Sequence, residues 1–101
     1  MFEIYKIISW HKKIFRDCTY TEQLDKVSEE IREYTEALEN YIKARGRLKK
    51  IFTKSKLDEE LTDVIIASIN CMRYPEIRER VNVKMEINKH RTFKNNHHIG
   101  G

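Results

Sequence analysis

Two pairs of acids in this chain have the same form: Glu30 with Glu33, and Glu60 with Asp63, each pair three residues apart. On a helix that spacing puts both carboxylates on one face. If the two faces meet, four negative charges crowd one seam, and they repel unless protons or a cation neutralise them. A donor set made only of carboxylate oxygens, with no Cys or His at ligand spacing, suits a hard divalent ion, so Mg²⁺ or Mn²⁺ is expected rather than Zn²⁺. Acids three apart are also common on solvated helix faces, and that is the competing reading of either pair alone. Asp63 weighs against it, because it falls within Leu61-Thr62-Asp63-Val64-Ile65-Ile66-Ala67. A carboxylate buried there would need a partner.

Other side chains could serve an anionic ligand. Lys84, Asn88 and Arg91 are spaced four and three apart, so on a helix they fall within about 60° of one another. They would offer a point charge, an amide and a guanidinium fork to phosphate oxygens. The alternative is an ordinary exposed polar face. Trp10 and His11 are candidates to stack on or line a planar ring, or else to anchor the first helix. Cys18 and Cys71 lack metal-ligand spacing and read as reduced, packed thiols. His97 and His98 read as tail residues.

These groups need elements to hold them. A roughly helical apolar pattern runs from Phe2 to Arg16 through Ile4, Ile7, Ile8, Trp10 and Phe15. Thr19 and Glu22 have the form of a capping box, opening a stripe of Leu24, Val27, Ile31, Tyr34, Leu38 and Tyr41. Gly46 marks the weakening of that helix within a basic loop, and Ser55 with Asp58 suggests a second capping box. The helix that follows has a stripe of Leu57, Leu61, Val64, Ile65, Ser68 and Met72, and from Leu61 to Met72 it is apolar enough to be buried nearly all round. At about 100° per residue, Glu30 lies roughly 70° and Glu33 roughly 130° from the centre of their stripe, with Glu60 and Asp63 similarly offset, so both pairs edge one seam. Ile66 lies about 160° from its stripe centre, which predicts a place at a subunit contact. Tyr74-Pro75 ends the third helix and starts a fourth reaching about Phe93. The alternation of Val81, Val83, Met85 and Ile87 keeps a strand open there, although no other strand is predicted to pair with it. Residues 94–101 form a tail without periodicity. No internal repeat or low-complexity segment stands out.

The 101 residues allow one modest core, and 40% apolar and 36% charged residues with three Gly and one Pro favour long helices over turn-rich β structure. The expected fold is an all-α bundle of about four helices, one domain over residues 1–93. The net charge of +4 is segregated, with seven acids between Glu22 and Glu39 and seven bases between Asn40 and Lys56. So acidic a block argues against nucleic acid as the partner. No apolar run approaches the roughly 20 residues of a membrane span, and a cytoplasmic protein is expected.

With Glu29-Glu30-Ile31-Arg32-Glu33 and Glu59-Glu60-Leu61-Thr62-Asp63, and 26 positions between Glu33 and Glu60, the chain resembles the MazG-like members of the all-α nucleoside triphosphate pyrophosphohydrolase superfamily, whose pattern is E-x-x-E followed by E-x-x-D. Ser9-Trp10-His11 leading to Phe15, and Lys84-Met85-Glu86-Ile87-Asn88-Lys89-His90-Arg91, look like the small branch of that family, often phage-encoded and acting in the host cytoplasm. Related chains often have Trp where Phe93 stands. The resemblance spans about Ile8 to Phe93. It implies Mg²⁺-dependent hydrolysis of a nucleoside or deoxynucleoside triphosphate between its α and β phosphates, giving a monophosphate and pyrophosphate. Glu30, Glu33, Glu60 and Asp63 would then hold metal and act catalytically, with one outer carboxylate, Glu33 for preference, taking a proton from water. Trp10, His11, Lys84, Asn88 and Arg91 would bind substrate, and relatives pair into homodimers or homotetramers. The rival is a non-catalytic helical oligomer that binds nucleic acid or nucleotide through the basic tract.

Overall fold

The computed structural model describes residues Phe2–Ile99, with side chains from Glu3 to Arg91. It is all-α: α1 (Phe2–Ile14), α2 (Tyr20–Lys43), α3 (Arg47–Asn70), a short 3₁₀ turn (Cys71–Arg73) and α4 (Pro75–Ile99), with no strand among the described residues. The period-two alternation of Val81 to Ile87 therefore lies on a helix. The chain divides into two compact units, Met1–Cys71 and Met72–Gly101.

Within the first unit, α2 begins where its sequence marks a start. Thr19 Oγ1 accepts a hydrogen bond from the Glu22 amide at 3.2 Å, and the Thr19 amide donates to Glu22 Oε1 at 2.9 Å. A cap of this kind contributes about 1 kcal/mol. The helix stops at Ala44, whose amide donates to the Tyr41 carbonyl at 3.2 Å. Lys50 then reaches back to donate to the same carbonyl at 2.7 Å, with its ammonium 4.4 Å from the Tyr41 ring centre. A cation thus meets the negative end of α2. Gly46, at φ 85°, makes the reversal into α3, a backbone angle that side-chain-bearing residues rarely adopt.

The basic tract is not a loop. α3 starts at Arg47, so Ser55 and Asp58 lie inside it, and Asp58 pairs with Lys54 at 2.7 Å instead of capping. From Arg47 to Asn70 there is no Gly or Pro, and Lys, Arg, Leu and Glu propagate a helix readily. A cap pattern needs an interruption before it.

α2 and α3 form an antiparallel hairpin, and α1 packs on α3. The contact between α2 and α3 falls on positions seven apart: buried Gln23, Glu30, Ala37 and Ala44, with half-buried Val27, Tyr34 and Tyr41 between them. Buried Glu60 and Ala67, with half-buried Leu57, Val64 and Cys71, answer from the other side. This is coiled-coil spacing with small residues at the seam, which lets the backbones approach. The apolar stripes are displaced from it: Leu61 and Ile65 are 41% and 49% exposed, and α3 is not buried all round. In the second unit, the Tyr74 carbonyl accepts from the Ile77 and Arg78 amides, and Pro75 takes the first position of α4, where no amide is needed. α4 runs on through residues 94–99, so most of the stretch expected to be a tail is helical, while Gly100, Gly101 and the side chains of Phe93, His97 and His98 lie outside the described residues.

Candidate functional site

The hairpin register sets Glu30 opposite Glu60 at the middle of the seam, each only 6% exposed. Carboxylate oxygens of Glu30, Glu60 and Asp63 lie within 4.8 Å of one another. Lys26 Nζ holds Glu30 Oε1 at 2.9 Å, and Lys56 Nζ holds Glu60 Oε1 at the same distance. The second oxygen of each, Oε2, is buried without a hydrogen-bond partner among the described residues. Two orphaned carboxylate oxygens in one cluster are costly unless something positive joins them.

Burial is distributed differently from the sequence expectation. Asp63, the acid expected to be enclosed, is exposed, whereas Glu30 and Glu60, expected at the edge of the seam, are enclosed. The reason is the position of the contact: it centres on the line from Glu60 to Ala67, and Asp63 lies about 60° to one side. Glu33 is half-buried beside the cluster. Partial burial, and then the charges of Glu30, Glu60 and Glu29, raise its pKa above the ordinary value, with Lys26 opposing. The Lys26 ammonium is in turn held protonated chiefly by its hydrogen bond to Glu30, and Lys56 chiefly by its bond to Glu60.

A cavity of about 600 Å³ opens beside these acids, with Glu30, Asp63 and Lys26 in its wall. α1 and the turn after it supply Trp10, His11 and Phe15. The Phe15 ring centre is 5.9 Å from that of Trp10 in an edge-on arrangement and 5.2 Å from that of buried His11. One helix and one hairpin therefore assemble a space with carboxylates on one part of its wall and aromatic rings on another. No family model, curated protein or solved structure matches this chain.

Of the residues singled out in the sequence, the first unit gathers Glu30, Glu60 and Asp63, sets Glu33 beside them, and lines the adjoining cavity with Trp10 and His11. Lys84, Asn88 and Arg91 are exposed on one face of α4 in the second unit. Ile66 is in the cavity wall of this chain, not on the hairpin's outer face. Cys18 and Cys71 are half-buried, Cys18 Sγ donating to Gln23 Oε1 and Cys71 Sγ to the Ala67 carbonyl, each at 3.7 Å; burial pushes the Cys71 thiol up.

Gln23, Lys26, Lys56 and Asn70 were not singled out. For the two lysines a signal existed. Lys26-Val27-Ser28-Glu29-Glu30-Ile31-Arg32-Glu33 recurs 30 residues later as Lys56-Leu57-Asp58-Glu59-Glu60-Leu61-Thr62-Asp63, so the chain does contain a short repeat. Folded back as an antiparallel hairpin, its two copies become related by an approximate two-fold axis near Glu30 and Glu60, which explains the matching pair of Lys-to-Glu bonds. Gln23 and Asn70 carry no pattern of their own.

Proposed function

We propose that this chain is a Mg²⁺-dependent nucleoside triphosphate pyrophosphohydrolase, cleaving between the α and β phosphates to give a nucleoside monophosphate and pyrophosphate. The observation that carries the reading is the cluster of Glu30, Glu60 and Asp63, with two buried unpartnered oxygens, beside a cavity large enough for a small molecule and bordered by aromatic rings. The donor set fits a hard divalent cation: three carboxylates from two rigid helices, all oxygen, with orphaned lone pairs. Glu30, Glu60 and Asp63 would hold the ion, with Glu33 beside them. Such an ion supplies neutralisation of phosphate charge and a more acidic water.

The chain's own residues account for the rest. Trp10, His11 and Phe15 bind the planar base and exclude water from one side of it. Glu33 has a raised pKa and lies outside the three-acid cluster, so it suits the task of taking a proton from the attacking water. Lys26, bonded to Glu30 in the cavity wall, would offer its ammonium to a phosphate oxygen bound there. Lys84, Asn88 and Arg91, on α4 of the second unit, have in their own right the chemistry to hold phosphate oxygens. The hairpin face opposite the cavity carries Leu24, Ile31, Leu61 and Ile65, all more than a third exposed, which supports assembly into a homodimer or homotetramer through that face. The rival reading through the basic tract is weakened because Lys50, Lys54 and Lys56 are engaged within the chain.

Chromatography of the nucleotide product tests the reaction. A monophosphate is expected; a diphosphate, or no conversion of any triphosphate in the presence of Mg²⁺, overturns it.

A further inference from the structure

Asn70 ends α3 and is 4% exposed, yet its side-chain oxygen Oδ1 is buried without a hydrogen-bond partner among the described residues. It lines the same cavity as the acids but at a distance from them, seven residues beyond Asp63 and so about 10 Å along the helix. That separation is comparable to the span from the α phosphate of a nucleotide to the far edge of its base.

The neighbouring amide shows what a satisfied group looks like at this end. Gln23 is buried too, but its Nε2 donates to the Ala67 carbonyl at 2.9 Å and its Oε1 accepts from Cys18 Sγ at 3.7 Å. Both ends of that amide are occupied. Asn70 lies one turn of α3 beyond Ala67 and has no such partner for its oxygen. A buried amide oxygen without a donor is unfavourable in the ligand-free protein, and a donor brought by a ligand in the cavity would relieve it. The ligand implied by the rest of the wall is a planar heteroaromatic ring lying against the cluster that Trp10, His11 and Phe15 form.

We infer that Asn70 is the residue that reads the base: its amide pairs with a nucleobase edge presenting an N–H beside an acceptor, and this pairing sets which nucleotides the site prefers. The inference rests on the nucleotide-hydrolysing reading of this site and adds a specificity determinant to it. An amide offers one acceptor and one donor, so it pairs with such an edge in a bidentate manner, as asparagine does with adenine. A site built to hydrogen-bond a ligand N–H discriminates strongly against one that lacks it.

The test is calorimetric binding of the four natural deoxynucleoside triphosphates, and of inorganic triphosphate, to the full chain with Mg²⁺, for wild type and Asn70→Leu. Asn70→Leu is expected to lose roughly ten- to a hundredfold in affinity for the preferred nucleotide. It should narrow the spread among the four bases, leave inorganic triphosphate binding unchanged, and not lower the melting temperature of the ligand-free protein. An unchanged spread, or an equal loss for inorganic triphosphate, overturns the inference. Should Asn70→Leu fail to fold, Asn70→Asp decides, since it keeps the size and replaces the donor: a changed order of preference supports the inference and an unchanged order overturns it. Wild-type protein that binds no nucleotide defeats both this inference and the proposed function, whereas wild-type hydrolysis with an Asn70-independent preference defeats this inference alone.

Discussion

Glu30 and Glu60 face each other across the seam of a helical hairpin, each with one oxygen held by a lysine four residues earlier and the other buried without a partner. Two like charges at the middle of a contact are a poor choice for stability. Their lysines neutralise the ligand-free cluster in part, and on the proposed reading a divalent ion completes what the lysines begin.

Glu60→Gln and Asp63→Asn are expected to abolish turnover while leaving the helical circular dichroism intact. Each removes a negative charge from the cluster, so the metal-free protein should melt at the same temperature or higher, and Mg²⁺ should no longer raise it. Near-wild-type activity at saturating Mg²⁺ in either variant would remove that residue from the metal shell.

Lys26→Met and Lys56→Met test the stand-in role of the lysines. Without them, the metal-free protein should be less stable, and Mn²⁺ titrated into it should bind more tightly because no ammonium competes for Glu30 or Glu60. Calorimetry on the double variant checks both quantities. Weaker Mn²⁺ binding would mean that the lysines help to build the site and do not compete for it.

The order in which these features were legible in the sequence follows from how they are encoded. The capping box of Thr19 and Glu22 and the paired acids are local patterns, and both are present in the structure. The start of α3 was misplaced because Ser55 and Asp58 imitate a cap within an uninterrupted run of good helix formers. The seam was displaced for a different reason: large apolar side chains define a stripe in sequence, but small Ala37, Ala44 and Ala67 define where two helices come closest. That shift of one position carried Glu30 and Glu60 from the predicted edge to the centre, Asp63 to the rim and Ile66 into the cavity wall. Asn70 was not legible at all, since one amide at the end of an apolar helix has meaning only once the cavity beside it exists.

A pH dependence follows from Glu33. Its folded pKa is raised above the ordinary 4.5, so the folded state binds the proton more tightly than the unfolded one. The resulting stability is present below that ordinary value and is lost as pH rises through the raised one. Metal-free protein should therefore lose melting temperature over the interval just above pH 4.5, and Glu33→Gln should flatten the slope. A slope of the opposite sign in that interval, unaltered in the variant, would show that Glu33 is not under pressure from its neighbours.

Assembly is expected through the outer face of the hairpin. Ile65→Lys, placed among Leu24, Ile31 and Leu61, should shift the protein toward monomer as read by light scattering. Ile66→Lys, in the cavity wall, should leave the assembly state unchanged and impair nucleotide binding. A monomeric, fully active wild type would contradict the need for assembly, and the reverse pattern in the two variants would move the interface to the cavity side.

Pyrophosphate release reads out the proposed metal-dependent cleavage of a nucleoside triphosphate at its α phosphate. Across a panel of natural and modified triphosphates, one pyrophosphate is expected per monophosphate formed, strictly dependent on Mg²⁺ or Mn²⁺ and absent in Glu60→Gln. Release of orthophosphate in its place, or no release from any triphosphate with the metal present, would contradict it.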